Sequence, residues 1–180
     1  LMDRFAKGFP NVMAMLCAGG SGRVDYGAMP YFHSFWPSDN TDPLGRIKIQ
    51  WGFSHFFPAN TISAHVTRMG KRHLKMAIDV ALSGAFGIDL ALDKATAEER
   101  AQIADAVKLY KERIRPLVMH GELYRLVSPY ESPLASLSYV STDKQKAVVY
   151  FYRNINLFRV PSSPKVSASG MVPKIGETVR

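Results

Sequence analysis

Up to about residue 120 this chain passes four times from a short apolar run into a stretch of helical periodicity. That alternation is the strongest constraint on its fold, because repeated strand–helix units imply a parallel sheet, open or closed. Leu1–Lys7 reads as the end of a helix, stopped by Gly8, and Val12–Ala18 as a buried strand running into the glycine-rich Gly19–Gly22. Asp25–Phe32 has the pattern of a short helix, and Phe35–Trp36 that of a short strand ending in the polar stretch Ser38–Asp42. Asp42 suits an N-cap before Pro43 at a first helical position, with Leu44, Ile47, Trp51 and Phe56 continuing the apolar face. Ile62–Val66 is rich in β-branched and small residues and predicts a strand. Leu74–Leu82 predicts a helix with Ala77, Ile78, Ala81 and Leu82 facing inward and Gly84 as its stop, and Ala85–Leu92 a further strand. Thr96 and Glu99 form the two halves of a capping box. The helix it opens carries Ile103, Ala106, Val107, Tyr110 and Ile114 at spacings of three and four, until Pro116 bends or ends it. Four such units are half of a closed eight-strand barrel.

After Gly121 the helical segments stop. Leu123–Val127, Ala135–Val140 and Ala147–Tyr152 are strand-like, with a turn at Asp143–Lys146. They predict an antiparallel region and the start of a second domain, giving a division into residues 1–120 and 121–180. From Val160 onward, Pro161, Pro164 and Pro173 weaken any strand assignment.

A chain of 180 residues is short for a complete barrel of about 250. With 47% apolar and 21% charged residues it is nonetheless globular in composition. Cys17 is the single cysteine, which excludes an internal disulfide framework and a multi-cysteine zinc cluster. No apolar run approaches the roughly 18–20 residues of a membrane span. The net charge of +8 raises a nucleic-acid reading, but the basic residues are dispersed. Only Arg68, Lys71, Arg72 and Lys75 form a dense group, and the simpler reading is a solvated basic surface. A chain that starts at Leu1 is expected to be processed, trimmed or fragmentary.

In parallel strand–helix folds chemistry sits at the C-terminal ends of the strands. Two such ends stand out, Cys17–Arg23 and Trp36–Pro43. The glycines of the first let backbone N–H groups approach a ligand oxygen, or simply form a tight turn. In the second, Asp42 is most simply a helix cap, which leaves Asp39 without a capping role beside Trp36, a residue suited to stacking on a sugar face. A carboxyl against an aromatic wall suits a general acid, because apolar surroundings disfavour its charged form. Cys17 at a strand end reads as a small buried hydrophobe rather than a nucleophile. The five histidines show no metal-binding spacing and read as structural, with His65 the one placed to face a pocket.

Together these strand ends resemble the α-galactosidases of glycoside hydrolase family 36. The resemblance is carried by Cys17-Ala-Gly-Gly-Ser-Gly-Arg23-Val-Asp25-Tyr-Gly27 and by Phe35-Trp36-Pro37-Ser38-Asp39-Asn40-Thr41-Asp42. It continues through Arg46–Phe53, Pro58–Val66, Ala81–Gly87, Tyr110–Pro116 and Tyr124–Leu126, covering roughly residues 1–155. It implies the C-terminal half of a (β/α)8 barrel followed by part of an antiparallel β-sandwich, and a retaining glycosidase with two carboxylates and a covalent intermediate. The family's S-D-x-T-D motif places its general acid/base on Asp39. Its Cys-x-x-Gly loop, lining the galactose pocket, falls on Cys17 and Gly20, with Arg23 in support and Trp36 alongside. Ala18 and Ser21 depart from the residues common in that loop. The family's nucleophile, an Asp in a K-x-D context, has no counterpart here, and is expected before residue 1. The resemblance further implies an α-galactoside substrate, no metal or other cofactor, no nucleic-acid or membrane partner, a homo-oligomer at full length and a cytoplasmic location. The isolated chain would then be inactive. A non-catalytic galactose-binding remnant and a basic nucleic-acid-binding domain are the alternatives.

Overall fold

In the computed structural model, residues 1–17, 19 and 22–153 are described. Four short strands form a parallel layer: β1 (Met15–Leu16), β2 (Ser34–Phe35), β3 (Ser63–Val66) and β4 (Ala85–Ile88). β1 pairs with β2, and β3 with β4, both parallel. A single parallel bridge between Phe35 and Ile62 joins the two pairs, so the four lie side by side in chain order. α2 (Pro43–Phe53) links β2 to β3, and α3 (Leu74–Ala81) links β3 to β4. α1 (Met2–Gly8) precedes the layer.

Two expectations are corrected in the first unit. The apolar run Val12–Ala18 is not a buried strand. β1 spans two residues, and Val12, Met13, Met15 and Cys17 are exposed. A run of apolar residues cannot reveal that its strand lies at an edge, and among the described strands β1 has a partner on one side only. Asp25–Phe32 is not a helix but a series of turns, in which the Asp25 carboxylate accepts the Ala28 N–H at 2.8 Å. A side-chain acceptor of this kind competes with helical pairing. Phe56, expected on the α2 face, lies beyond the helix and is 69% exposed.

β4 leads to α4 (Ala97–Leu109), which opens on the expected capping box. Thr96 accepts the Glu99 N–H at 3.1 Å, and Glu99 accepts the Thr96 N–H at 3.0 Å. Pro116 does not end the helix. The chain widens into a π turn over Tyr110–Ile114 and continues as α5 (Arg115–His120). A proline has no N–H for the carbonyl four residues back, and its ring presses on that carbonyl, so a wider turn absorbs both effects.

Beyond Gly121 the expected antiparallel region is present as a meander: β5 (Glu122–Val127), β6 (Leu134–Val140) and β7 (Ala147–Arg153). Gly121 is required by close approach. A Cβ there would lie 2.5 Å from the Leu117 carbonyl oxygen and 2.6 Å from that of Val140. The sheet packs on α3 within one hydrophobic cluster that runs from Ile47 and Trp51 through Ala77, Ile78 and Ala81 to Tyr139, Tyr150 and Tyr152. The phenols of this face cap α3. Tyr152, Tyr150 and Tyr139 donate to the carbonyls of Asp79, Leu82 and Ser83, and Tyr110 to that of Gly84. Gln50 Nε2 and Ser83 Oγ donate to Val80. Carbonyls of the last turn of α3 and of the segment leading into β4 are thus taken up by side chains in a buried seam. Burial pushes the three sheet phenols well above their ordinary pKa, so they remain donors. The weak strand pattern beyond Val160 falls outside the described residues.

Candidate functional site

The ends of β2, β3 and β4 open into one cleft of about 420 Å³. Trp36, Asp39 and Thr41 come from the loop after β2, Thr67 and Met69 from the segment after β3, and Asp89 from the end of β4. This is the C-terminal edge of the parallel layer, where successive loops converge.

Asp39 is exposed at this edge. Its Oδ1 accepts the indole Nε1–H of Trp36 at 2.9 Å. The expected aromatic wall is therefore corrected in detail: Trp36 offers its N–H edge to the carboxylate. The loop around Asp39 is held from beneath by Arg46 of α2, which is 2% exposed. Its Nη2 donates to the Ser38 carbonyl at 2.7 Å, its Nε to that of Asn40 at 2.8 Å, and its Nη1 to that of Ser63 at 3.1 Å. The guanidinium carbon lies 4.6 Å from the centroid of the Trp36 ring. No carboxylate among the described residues forms an ion pair with Arg46. Three carbonyls and a π face offset its desolvation instead. Burial pulls its pKa down to about 10, against the raising influence of Asp39, so it stays a cation at neutral pH.

His65 packs edge-on against Trp36, with ring centroids 4.7 Å apart. It lies over Gly87 so closely that a Cβ there would be 2.5 Å from the imidazole. Burial pushes the His65 pKa below its ordinary value, Asp89 raises it, and Arg46 lowers it. Thr41 and Thr67 share a hydroxyl contact of 2.7 Å that ties the first two loops together. Asp42 occupies the N-cap position of α2, but its carboxylate makes no cap hydrogen bond. It pairs with Arg72 at 3.2 Å, a second tie between those loops.

The structure thus brings Trp36 and Asp39 together. Cys17 stands at the end of the neighbouring β1, where the Trp36 backbone N–H donates to the Leu16 carbonyl at 2.9 Å, but it is exposed and does not line the cleft. The expectation of a buried Cys17 is corrected: it lies just past the two-residue strand β1 and is exposed. Arg23 is exposed and is not among the cleft residues. Gly20 lies outside the described residues.

Neither Arg46, beneath the cleft, nor Asp89, in its lining, is among the residues singled out from the sequence. Arg46 passes for one of many dispersed cations, yet Pro43, Arg46, Ile47, Gln50 and Trp51 share the buried face of α2. A charge inside a 3–4 apolar stripe is the signal that marks it. Asp89 follows an apolar strand directly, which is where parallel folds place functional side chains.

The dense basic group is largely answered by carboxylates. Arg68 binds Glu99 bidentately at 2.6 and 2.8 Å, Arg72 pairs with Asp42, and Lys75 pairs with Asp79 at 2.6 Å. Such pairing leaves less charge for phosphates. Among the described residues no group of three His, Cys, Asp or Glu side chains is placed to hold a metal ion, and no helix is long and apolar enough to cross a membrane.

The profile of the melibiase family matches residues 1–121. The chain is 37% identical over 169 residues to α-galactosidase AgaA of Geobacillus stearothermophilus, covering 91% of this chain and 23% of that protein. It is 34% identical over 181 residues to α-galactosidase 1 of Pediococcus pentosaceus, covering 97% and 24%. The crystal structure of the family 36 α-galactosidase AgaB from G. stearothermophilus superposes with a TM-score of 0.81 at 39% identity, over 84% of this chain and 22% of that one. A variant of AgaA in complex with raffinose gives 0.83 at 36% identity, over 89% and 23%. The chain spans about a quarter of the length of the relatives it matches.

Proposed function

The chain belongs to the melibiase family, the α-galactosidases of glycoside hydrolase family 36, and from that premise we propose that Asp39 is the general acid/base of a retaining α-galactosidase. The observation that carries this reading is the Asp39 carboxylate, held by the Trp36 N–H at 2.9 Å in an open cleft at the strand ends. In the first half of the reaction Asp39 gives a proton to the departing glycosidic oxygen, and in the second it takes one from water. Trp36 positions that carboxyl. Cys17, Gly20 and Arg23 belong, on this reading, to the galactose side of the pocket.

Double displacement needs a second carboxylate about 5–5.5 Å from the first. No Asp of this sequence has the K-x-D context expected of it. We therefore place the nucleophile outside these 180 residues, and the chain by itself is expected not to turn over substrate. The parallel layer and its helices are read as the C-terminal half of a (β/α)8 barrel over residues 1–120, and residues 121–180 as the start of an antiparallel β domain. The substrate class is the α-galactosides.

The test is a fusion in which this chain replaces the matching quarter of AgaA. Raffinose hydrolysis by the fusion is expected to fall by about 10²–10⁴-fold with Asp39→Asn. Unchanged turnover overturns the assignment. Calorimetry of the 180-residue chain with galactose checks the non-catalytic reading, which requires binding without the rest of an enzyme.

A further inference from the structure

Arg46 is buried and does not line the cleft, yet it touches both the main chain and the indole that hold Asp39. It grips the main chain on both sides of that residue, at Ser38 and Asn40, and anchors it to β3 through Ser63. The same guanidinium lies on the face of the indole whose N–H binds the carboxylate. Packing alone does not call for a cation here. A buried charge that forms no ion pair among the described residues carries a desolvation cost that an apolar side chain of similar volume would avoid. A planar fork that also stacks on an aromatic ring does what neither an apolar residue nor Lys can do.

We propose that Arg46 is the positioning residue of Asp39: its fork fixes the Ser38–Asn40 backbone, and its charge on the Trp36 face aims the indole N–H, so that the carboxyl meets the glycosidic oxygen. The inference rests on the reading of Asp39 as the acid/base. It carries a signature that a purely structural role lacks. Acid assistance matters most when the leaving group is a poor one. Raffinose loses a sugar alkoxide and needs the proton, whereas 4-nitrophenyl α-galactoside loses a stable phenolate and does not. The parameter kcat/KM reports the step in which that bond breaks.

In the AgaA fusion, Arg46→Lys is expected to lower kcat/KM on raffinose by about 10–100-fold, the cost of a small misplacement, and to lower it on the aryl substrate less than about threefold. Asp39→Ala is the reference and should show the same split more strongly. If Asp39→Ala shows no split, the acid/base reading itself fails. If Asp39→Ala splits the two substrates and Arg46→Lys lowers both equally, or neither, the inference about Arg46 alone is overturned. A second measurement needs no turnover. The 180-residue chain has two tryptophans, Trp36 and Trp51, hence two indole N–H resonances. Arg46→Lys should move the Trp36 resonance toward its position in Asp39→Asn and leave that of Trp51, buried on α2, in place. An unmoved Trp36 signal, or a Trp51 signal that moves as far, contradicts the proposal.

Discussion

The two ends of the parallel layer are built on opposite plans. At the N-terminal end of β4 lies the tyrosine seam, where Tyr110, Tyr139, Tyr150 and Tyr152 donate to carbonyls of the last turn of α3 and of the segment that follows it. Each of these four phenols is buried and donates to a main-chain carbonyl inside the protein. At the C-terminal end Asp39 and Asp89 are exposed, and threonine hydroxyls line an open cleft. The difference teaches where this fold keeps its stability and where it leaves capacity for a ligand. A hydrogen bond completed inside the seam is unavailable for chemistry, whereas a carboxylate held by one indole N–H still has oxygen to offer. Arg46 stands between the plans, a buried group from the rigid layer that reaches the loop at the mouth.

The contrast can be broken most sharply at its two extremes. In the fusion enzyme, Asp39→Asn should cost about 10²–10⁴-fold in turnover while shifting stability by no more than about 0.5 kcal/mol, as expected of an exposed residue. Tyr139→Ala should do the reverse. Removing a buried aromatic ring is expected to cost about 3–5 kcal/mol in urea unfolding, with the ratio of raffinose to aryl-galactoside activity unchanged in the folded fraction. A Tyr139 variant that altered that ratio would mean that seam and cleft are not separate. Gly121→Ala presses a methyl group onto two backbone oxygens and is expected to cost about 1–3 kcal/mol, again with no change in that ratio.

The smallest effect concerns His65, which joins the cleft to the layer beneath. Its folded pKa lies below the ordinary 6.5, because burial disfavours the charged imidazole. A depressed value means that its contribution to stability is present above about pH 6.5 and is lost as the pH falls through the lower folded pKa. Because the ring sits 4.7 Å from Trp36, indole emission should follow the same titration. The expected midpoint is below 6.5, and the step should vanish in His65→Gln. A midpoint above 6.5 would place His65 in a different environment.

How much of this was legible beforehand depended on the kind of signal. The meander was readable to within about a residue, because its alternating pattern and the turn at Asp143–Lys146 are local. The Thr96–Glu99 box was readable for the same reason, since both partners lie within one helical turn. β1 was misread as buried because apolar content does not say whether a strand is an edge. Asp25–Phe32 was misread as a helix because its turns are set by the Asp25 side chain and by the distant Phe56 carbonyl, which accepts the Tyr26 hydroxyl at 2.9 Å. Within the cleft, Asp39 and Trp36 stood out by their place after a strand. Arg46 did not, because its partners Ser38, Asn40, Ser63 and the indole come together only in the folded chain. The tyrosine seam was hidden likewise: β6 and β7 show which phenols share a face, but the carbonyls they meet lie 56–73 residues away.

The most direct measurement of the role of Asp39 is the product formed when azide is added to the Asp39→Ala fusion with an activated galactoside. If Asp39 serves as acid/base, azide takes the place of the water it can no longer activate. A bond forms from azide to the anomeric carbon as the bond to the nucleophile's carboxylate breaks, turnover recovers, and the product is α-galactosyl azide. Recovery of the β-azide would make Asp39 the nucleophile, and no response to azide would remove it from the reaction.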